Sequence, residues 1–353
     1  MHEKQSIWKK LISRTLGNKK TQSVTIPVFC VLIGLIAGAV VIAVLGKNPF
    51  SAYYNLLQGC GLAPKASYAG YKSILTDFLS FLNYLTPMIF AALAVAVAMR
   101  TGLFNIGVSG QMLAAGFLSS ILVGYSGLNA VLSKPLVLLI GILAGALVGG
   151  LIGLLKYKFN INEVVSSIML NYIIQYVCSF CINTFYVDPV SRQSKAVAQS
   201  ARLTLADTVV GDLKMDIPLG FILALIAVVL VKFLLDRTKM GYEMKAVGFS
   251  RSASRYAGIN VGKNIVVTML ISGALAGLAG VTYYLGYFAS IQPRVLSSTG
   301  FDAIAVSLLG NNNPVGIIFS SLLITVVDKG STYMSSAAGI QAEIADVITG
   351  IIL

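Results

Sequence analysis

Charge is scarce in this chain. Only 11% of its 353 residues are Asp, Glu, Lys or Arg, against 56% hydrophobic residues. Soluble domains carry about a quarter charged residues, so a large water-facing globule is excluded and a polytopic membrane protein is implied. Histidine is nearly absent: the single His2 stands in the basic start and supports neither metal nor acid–base chemistry. Of four cysteines, Cys178 and Cys181 form a C-x-x-C inside an apolar helix. That setting disfavours thiolate formation, so packing is the expected role. No His/Asp/Ser constellation and no metal-ligand cluster is spelled out, which argues against a membrane enzyme. A phosphate cradle is missing too, because Gly262-Lys263 lacks the upstream glycine and the following hydroxyl of a G-x-x-x-x-G-K-[ST] loop. Any energy-driven work by the chain would draw on a partner or an ion gradient. Glu163, Asp302 and Glu343 each open an apolar segment, where the helix dipole favours negative charge. A secondary transporter would instead bury carboxylates mid-helix as a proton relay.

The charge that is present is uneven. The net value of +13 comes largely from two clusters. Lys4, Lys9, Lys10, Arg14, Lys19 and Lys20 precede the first apolar run; Arg237, Lys239, Lys245, Arg251, Arg255 and Lys263 crowd one later loop. Residues 187–216 balance Arg192, Lys195, Arg202 and Lys214 against Asp188, Asp207, Asp212 and Asp216. Cations gathered in some loops and not in others orient a protein in a bilayer. The partner they imply is lipid, not nucleic acid. The pattern predicts a cytoplasmic basic segment over 1–25, a membrane domain over 26–353 and an external loop over 187–216.

Apolar segments recur near 26–45, 84–99, 103–124, 134–155, 163–186, 217–236, 262–288, 299–310, 313–328 and 339–353. A span needs about 20 residues. The expected fold is therefore an all-α polytopic membrane protein of about ten transmembrane segments with a cytoplasmic N-terminus. Two of these, 299–310 and 313–328, are short and read as half-helices broken at Asn311-Asn312-Asn313-Pro314, where proline disfavours helix before it. The three asparagines are expected to satisfy backbone groups freed at the break. The run 26–45 is long enough to span and should remain as the first anchor. The chain stops at Leu353 inside an apolar run, which predicts a short further tail. Gly141, Gly145, Gly149 and Gly153 form one helical stripe, and small residues on one face let membrane helices approach closely. An internal echo links Ile106-Gly-Val-Ser109 with Ile304-Ala-Val-Ser307.

Polar groups at bilayer depth cost several kcal/mol unless buried in protein or facing a wet cavity. Asn105, Gly107, Ser109, Gln111, Asn171 and Gln175 are such positions and are assigned to the substrate pathway. Amides both donate and accept, which suits a ribose hydroxyl or a base edge without burying charge. Interhelical hydrogen bonding is the equally weighted alternative for any one of them. The loop 237–261 mixes cations with small residues. Ser252 is expected to cap a short helix over 253–257 and Gly258 to stop it, a projection suited to docking in a partner's groove.

Ala246-Val-Gly248, Ala253 and Gly258-Ile259 resemble the coupling loop of permease subunits in ABC importers of the branched-chain amino acid and ribose type. Phe104-Asn-Ile-Gly-Val-Ser-Gly-Gln111, Asn162-Glu-Val-Val-Ser-Ser-Ile-Met-Leu-Asn171 and Gly300-Phe-Asp-Ala-Ile-Ala-Val-Ser-Leu-Leu-Gly-Asn-Asn-Asn-Pro314 look like those members that import nucleosides of the guanosine kind. The resemblance implies a second, different permease subunit, a cytoplasmic ATPase and an extracellular substrate-binding lipoprotein, in the plasma membrane. It also implies that Gly241, Glu243, Ala246, Gly248, Arg251, Ala253, Arg255 and Gly258 couple the permease to the ATPase. Sugars and amino acids are the alternative substrates, and a secondary transporter working alone is the alternative mechanism. No cofactor is implied.

Overall fold

The computed structural model describes residues 19–65, 68–341 and 343–352. Most of the predicted basic segment 1–25, His2 included, lies outside the described residues. Within them the helices are α1 (Lys19–Val44), α2 (Pro49–Gly59), α3 (Ile74–Arg100), α4 (Val108–Ser119), α5 (Ala130–Phe159), α6 (Glu163–Cys181) and α7 (Leu219–Arg237). They continue as α8 (Lys239–Phe249), α9 (Arg251–Tyr256), α10 (Val261–Val281), α11 (Thr299–Leu309), α12 (Pro314–Ala338) and α13 (Glu343–Ile352). Wider π-helical turns extend α4 to Gly124, α6 to Tyr186 and α10 to Phe288. Seven helices among the described residues are long and apolar enough to cross a membrane, and two shorter apolar ones, Val108–Gly124 and Thr299–Leu309, accompany them.

Seven spans and two shorter apolar helices answer to nine of the ten expected segments. The predicted half-helix 313–328 is in fact α12, 25 residues long. Pro314 opens it, where a missing N–H costs nothing. Asp328 and Lys329 interrupt the hydropathy of α12 but not its backbone hydrogen bonding. The run 339–353 supplies only the 10-residue α13. Helix α3 starts at Ile74, ten positions before the apolar run at 84, because Ser73 and Thr76 cap it: Ser73 N–H donates to Thr76 Oγ1 at 3.0 Å. The chain is also not purely helical. Strands β1 (Thr204–Val210) and β2 (Leu213–Pro218) pair antiparallel within the predicted external loop. Their β-branched residues and the Gly211-Asp212 turn, with φ +63° at Gly211, supply a hairpin's chemistry.

Contacts divide the chain into two units, one running to Ala63 and resuming at Val326, the other Pro64–Thr325. In the first, α1 packs on α13, and the Tyr53 hydroxyl of α2 donates to the Leu35 carbonyl at 2.5 Å. In the second, α3 is central: 89% of its apolar stretch is buried, against 33% for α6 and for α7. A helix apolar on all sides belongs inside the bundle, and one that stays exposed belongs against lipid.

The closest pairing is α5 with α10, and glycine makes it. A Cβ on Gly145 would fall on the Gly273 carbonyl oxygen, and one on Gly277 would fall on that of Gly141. Gly149 meets Met269 and Gly273, and Gly153 meets Met269 and Val266. The stripe is a backbone-to-backbone contact, as small residues along one face imply.

Candidate functional site

Between α3 and α4 the chain loses its helix over residues 102–107 and turns back into the bundle. Asn105 holds this stretch. Its Nδ2 donates to Gln111 Oε1 (3.1 Å) and Ser272 Oγ (2.8 Å), while its Oδ1 accepts from Gly107 N (3.0 Å) and Gln111 Nε2 (3.2 Å). Ser272 passes its own hydrogen to the Ala94 carbonyl at 2.7 Å. From α6, Asn171 Oδ1 accepts from Gly110 N and its Nδ2 donates to the Ile106 carbonyl, both at 3.0 Å. Ser272 stands eleven residues into the span Val261–Phe288, about 16 Å from its start at 1.5 Å per residue, so the network lies at mid-depth.

The structure thus brings five of the six predicted pathway residues together: Asn105, Gly107, Ser109, Gln111 and Asn171. Asn105, Ser109 and Gln111 are 0% exposed and Asn171 3%. Their amide groups are directed at each other and at backbone, so in this conformation they brace the unwound segment. Gln175, one turn beyond Asn171, takes a different partner. Its Nε2 donates to the Arg294 carbonyl at 2.6 Å, and its buried Oε1 has no hydrogen-bond partner.

Two short helices begin beside this hub. Ser109 Oγ in the first turn of α4 donates to the Ser297 carbonyl at 2.9 Å, and a Cβ on Gly300 in the first turn of α11 would fall on Ser109. From there α4 runs alongside α10 until Gly116 lies against the Tyr284 ring, whereas α11 runs the other way toward Arg100. Ile106–Ser109 lies at the start of α4 and Ile304–Ser307 near the end of α11, so their echo has no structural counterpart.

The helix break sits at the Arg100 end of α3 and not at mid-depth. Asn311 and Asn312 adopt left-handed backbones, φ 54° and 50°. Asn313 Oδ1 accepts from Val315 N at 3.1 Å, capping α12 before Pro314, and Asn312 Oδ1 accepts from Ser307 Oγ at 2.9 Å. The carbonyls of Asn311 and Asn312 accept from Arg100, through Nη2 at 3.3 Å and Nε at 3.0 Å.

The same face carries α8 and α9. Thr238 caps α8 by accepting from Gly241 N at 3.1 Å, and a Cβ on Gly241 would fall on the Leu234 carbonyl. Ser250, not Ser252, caps α9, because its hydroxyl reaches Ala253 N at the third helical position (3.3 Å). Gly258, φ +78°, ends the helix as expected. Glu243 accepts from Asn264 Nδ2 at 3.0 Å, which pins α8 to α10. Ala246 lies half-buried within α8, with its carbonyl accepting from Ser250 N at 3.0 Å. Gly248 rests on the Arg100–Thr101 backbone, and Arg251 Nη2 donates to the Gly102 carbonyl at 3.3 Å. Arg251, Ala253 and Arg255 are exposed. So are Phe249 and Tyr256, each 95%, which the sequence reading left out of the coupling set. Aromatics and arginines presented together are what interface hot spots use. Composition hides them, since a loop aromatic is as readily buried.

On the far end of α10, Tyr283, Tyr284 and Phe288 with Gln193, Gln292 and Ser297 line a cavity of about 110 Å³. Pockets holding a whole small ligand are about 300–1,000 Å³, so this one is too small to enclose one. Among the described residues no three His, Cys, Asp or Glu side chains group as a metal site.

A family model described as the branched-chain amino acid transport system permease component matches residues 78–353. The nucleoside ABC transporter permease protein NupB of Lactococcus lactis is 35% identical over 95% of this chain and 91% of its own length. The guanosine ABC transporter permease protein NupP of Bacillus subtilis is 35% identical over 95% of this chain and 93% of its own. The glucose ABC transporter permease protein TsgB13 of Haloferax volcanii is 28% identical, covering 93% and 85%. In both nucleoside systems a second permease, NupC or NupQ, also matches at 27% identity over 69% or 68% of this chain. No solved structure matches.

Proposed function

The chain belongs to the permease component family of branched-chain amino acid transport systems, and from that premise we propose that it carries nucleosides into the cell as the membrane subunit of an ABC importer. The observation that carries this reading is the full-length similarity to two permeases named for nucleoside and guanosine transport. A second, different permease subunit would complete the passage, as the NupB/NupC and NupP/NupQ pairs suggest. A cytoplasmic ATPase and an extracellular substrate-binding lipoprotein complete the assembly. The excess of cations on α8, α9 and the connecting residues favours the cytoplasmic side for that face.

In this reading α8 and α9 dock in the ATPase with Phe249, Arg251, Arg255 and Tyr256 outermost. Closure of the ATPases on ATP displaces these helices, and the movement re-packs the unwound segments 102–107 and 289–298. Asn105, Gln111 and Asn171 hold those segments between strokes, and the solute passes along the exposed backbone and hydroxyls that re-packing uncovers. The aromatic and amide lining at Tyr283, Phe288 and Gln292 suits a flat base with polar edges at the outer mouth. Uptake of labelled guanosine by proteoliposomes holding the whole importer tests the substrate. Deletion of 241–259 tests the coupling: loss of ATPase stimulation by loaded binding protein is expected, and normal stimulation refutes it. The glucose permease similarity favours sugar as the second reading, and uptake competed by glucose rather than guanosine would establish it.

A further inference from the structure

Arg100 ends α3, and a cation in a helix's last turn ordinarily serves that helix's own carbonyls. The guanidinium bonds recorded here go elsewhere, to Asn311 and Asn312, more than 200 positions along the chain. Both acceptors sit in left-handed backbone at the turn joining α11 to α12, and the turn is closed by Asn312 N donating to the Ser307 carbonyl at 2.8 Å. A planar guanidinium with several donors in fixed directions can hold two neighbouring carbonyls at once, which an ammonium cannot.

The backbone of the same residue is a seat for α8. A Cβ on Gly248 would fall on the Arg100 carbonyl oxygen, and one on Gly102 would lie 3.2 Å from Gly248 Cα. Arg251, the first residue of α9, holds the Gly102 carbonyl at 3.3 Å. One residue therefore touches the α8–α9 pair through its backbone and the α11–α12 turn through its side chain. Helix α11 then reaches from that turn to Ser109 at the mid-depth hub. Its eleven residues cover about 16 Å.

We infer that Arg100 is the positioning residue that delivers displacement of α8 and α9 to α11, and so to the unwound segments around Ser109. This rests on the coupling reading of α8 and α9. With Arg100 in place the turn moves with the loop face; without it, α8 and α9 move against the end of α3 while α11 stays behind.

The test uses the complete importer in proteoliposomes, with ATP hydrolysis and labelled guanosine uptake measured together in the native chain and in Arg100→Ala, Arg100→Lys and Gly248→Val. Arg100→Ala should keep stimulation of hydrolysis by loaded binding protein while solute moved per ATP falls by about tenfold, inside the usual range of coupling between sites. Arg100→Lys, able to reach one carbonyl, should fall between. An unchanged ratio in Arg100→Ala overturns the inference. Gly248→Val reports on the coupling reading separately, because it wedges α8 off the α3 end. If it leaves stimulation and ratio native, that reading fails; if it abolishes stimulation while Arg100→Ala is native, only the role of Arg100 fails. Spin labels at Lys239→Cys and Phe319→Cys, with the four native cysteines replaced by serine, give a second readout that does not need the alanine variant to assemble. Their separation should be the same with and without ATP in the otherwise native chain and should change with ATP in Arg100→Lys. A separation that changes with ATP before Arg100 is touched also overturns it.

Discussion

Replacing Gly145 by alanine places a methyl group where α5 and α10 meet backbone to backbone. The added Cβ would stand 2.7 Å from Gly277 Cα, besides overlapping the Gly273 carbonyl. Carbon atoms pack best at about 3.5–4.0 Å, so the two helices must part by about 1 Å. Overpacking of this kind costs about 1–3 kcal/mol, and a long glycine contact that opens at one point puts the cost near the top. Alanine returns up to about 1 kcal/mol through its better helix propensity. The net loss should be about 1–2 kcal/mol, a factor of about 5–30 in the folded-to-unfolded ratio. Gly153→Ala should cost less, since its nearest neighbours would be at 3.0 Å and one of them is a side-chain atom of Met269. Gly127→Ala is the control, with nothing within 4 Å, and should stay within about 0.5 kcal/mol of the native chain. Unfolding of the purified subunit by SDS, followed by circular dichroism, ranks the three. If Gly145→Ala and Gly127→Ala unfold at the same SDS fraction, the close approach of α5 and α10 is refuted.

Asn105→Ala removes four hydrogen bonds at once and strands Gln111 and the Gly107 N–H, so it should cost about 2 kcal/mol in the same assay. Ser272→Ala should cost less, because Asn105 keeps its other partners; the reverse order would show that the hub does not centre on Asn105. In the predicted external loop, the Ser191 hydroxyl and then the Val190 N–H hold the Asp188 carboxyl below its ordinary value. A depressed carboxylate stabilises its turn above the unfolded value of about 4 and loses that contribution as pH falls through the lower folded value. Protection of the Val190 amide from hydrogen exchange should therefore disappear on the acid side, at a higher pH in Ser191→Ala than in the native chain; identical profiles would count against the Ser191 bond.

Much of the membrane architecture is written in local chemistry. Small residues every fourth position gave the α5 face, since glycines along one side of an apolar helix let a neighbour approach closely. Glu163, Asp302 and Glu343 do sit in first turns, because dipole and charge act over a few residues. Lys156 also pairs with Glu163 at 2.8 Å, a contact across a turn that spacing does not announce. The amides at 105, 111 and 171 stood out as polar groups in an apolar setting, but nothing in their spacing says that Asn105 and Gln111 satisfy each other while Asn171 satisfies the backbone of Ile106 and Gly110. Hydropathy misread α12, because Asp328 and Lys329 lower an average without disturbing a helix. The break at Asn311–Asn313 was legible from the apolar flank on each side. The turn belongs beside Arg100, and that partnership of residues 211 and 212 positions apart leaves no trace in a single sequence.

With carbonyls of α5 and α10 resting on each other's α-carbons, no rotamer is available there to take up slack. The pair acts as a single stiff beam. Whatever swing accompanies a transport cycle must be absorbed where joints are filled by pliable side chains or by over-wide turns, such as Thr282–Phe288 at the beam's own tip. Close glycine packing and wider turns are thus segregated along one helix, with the wider turns supplying the aromatic wall of the cavity at Tyr283, Tyr284 and Phe288.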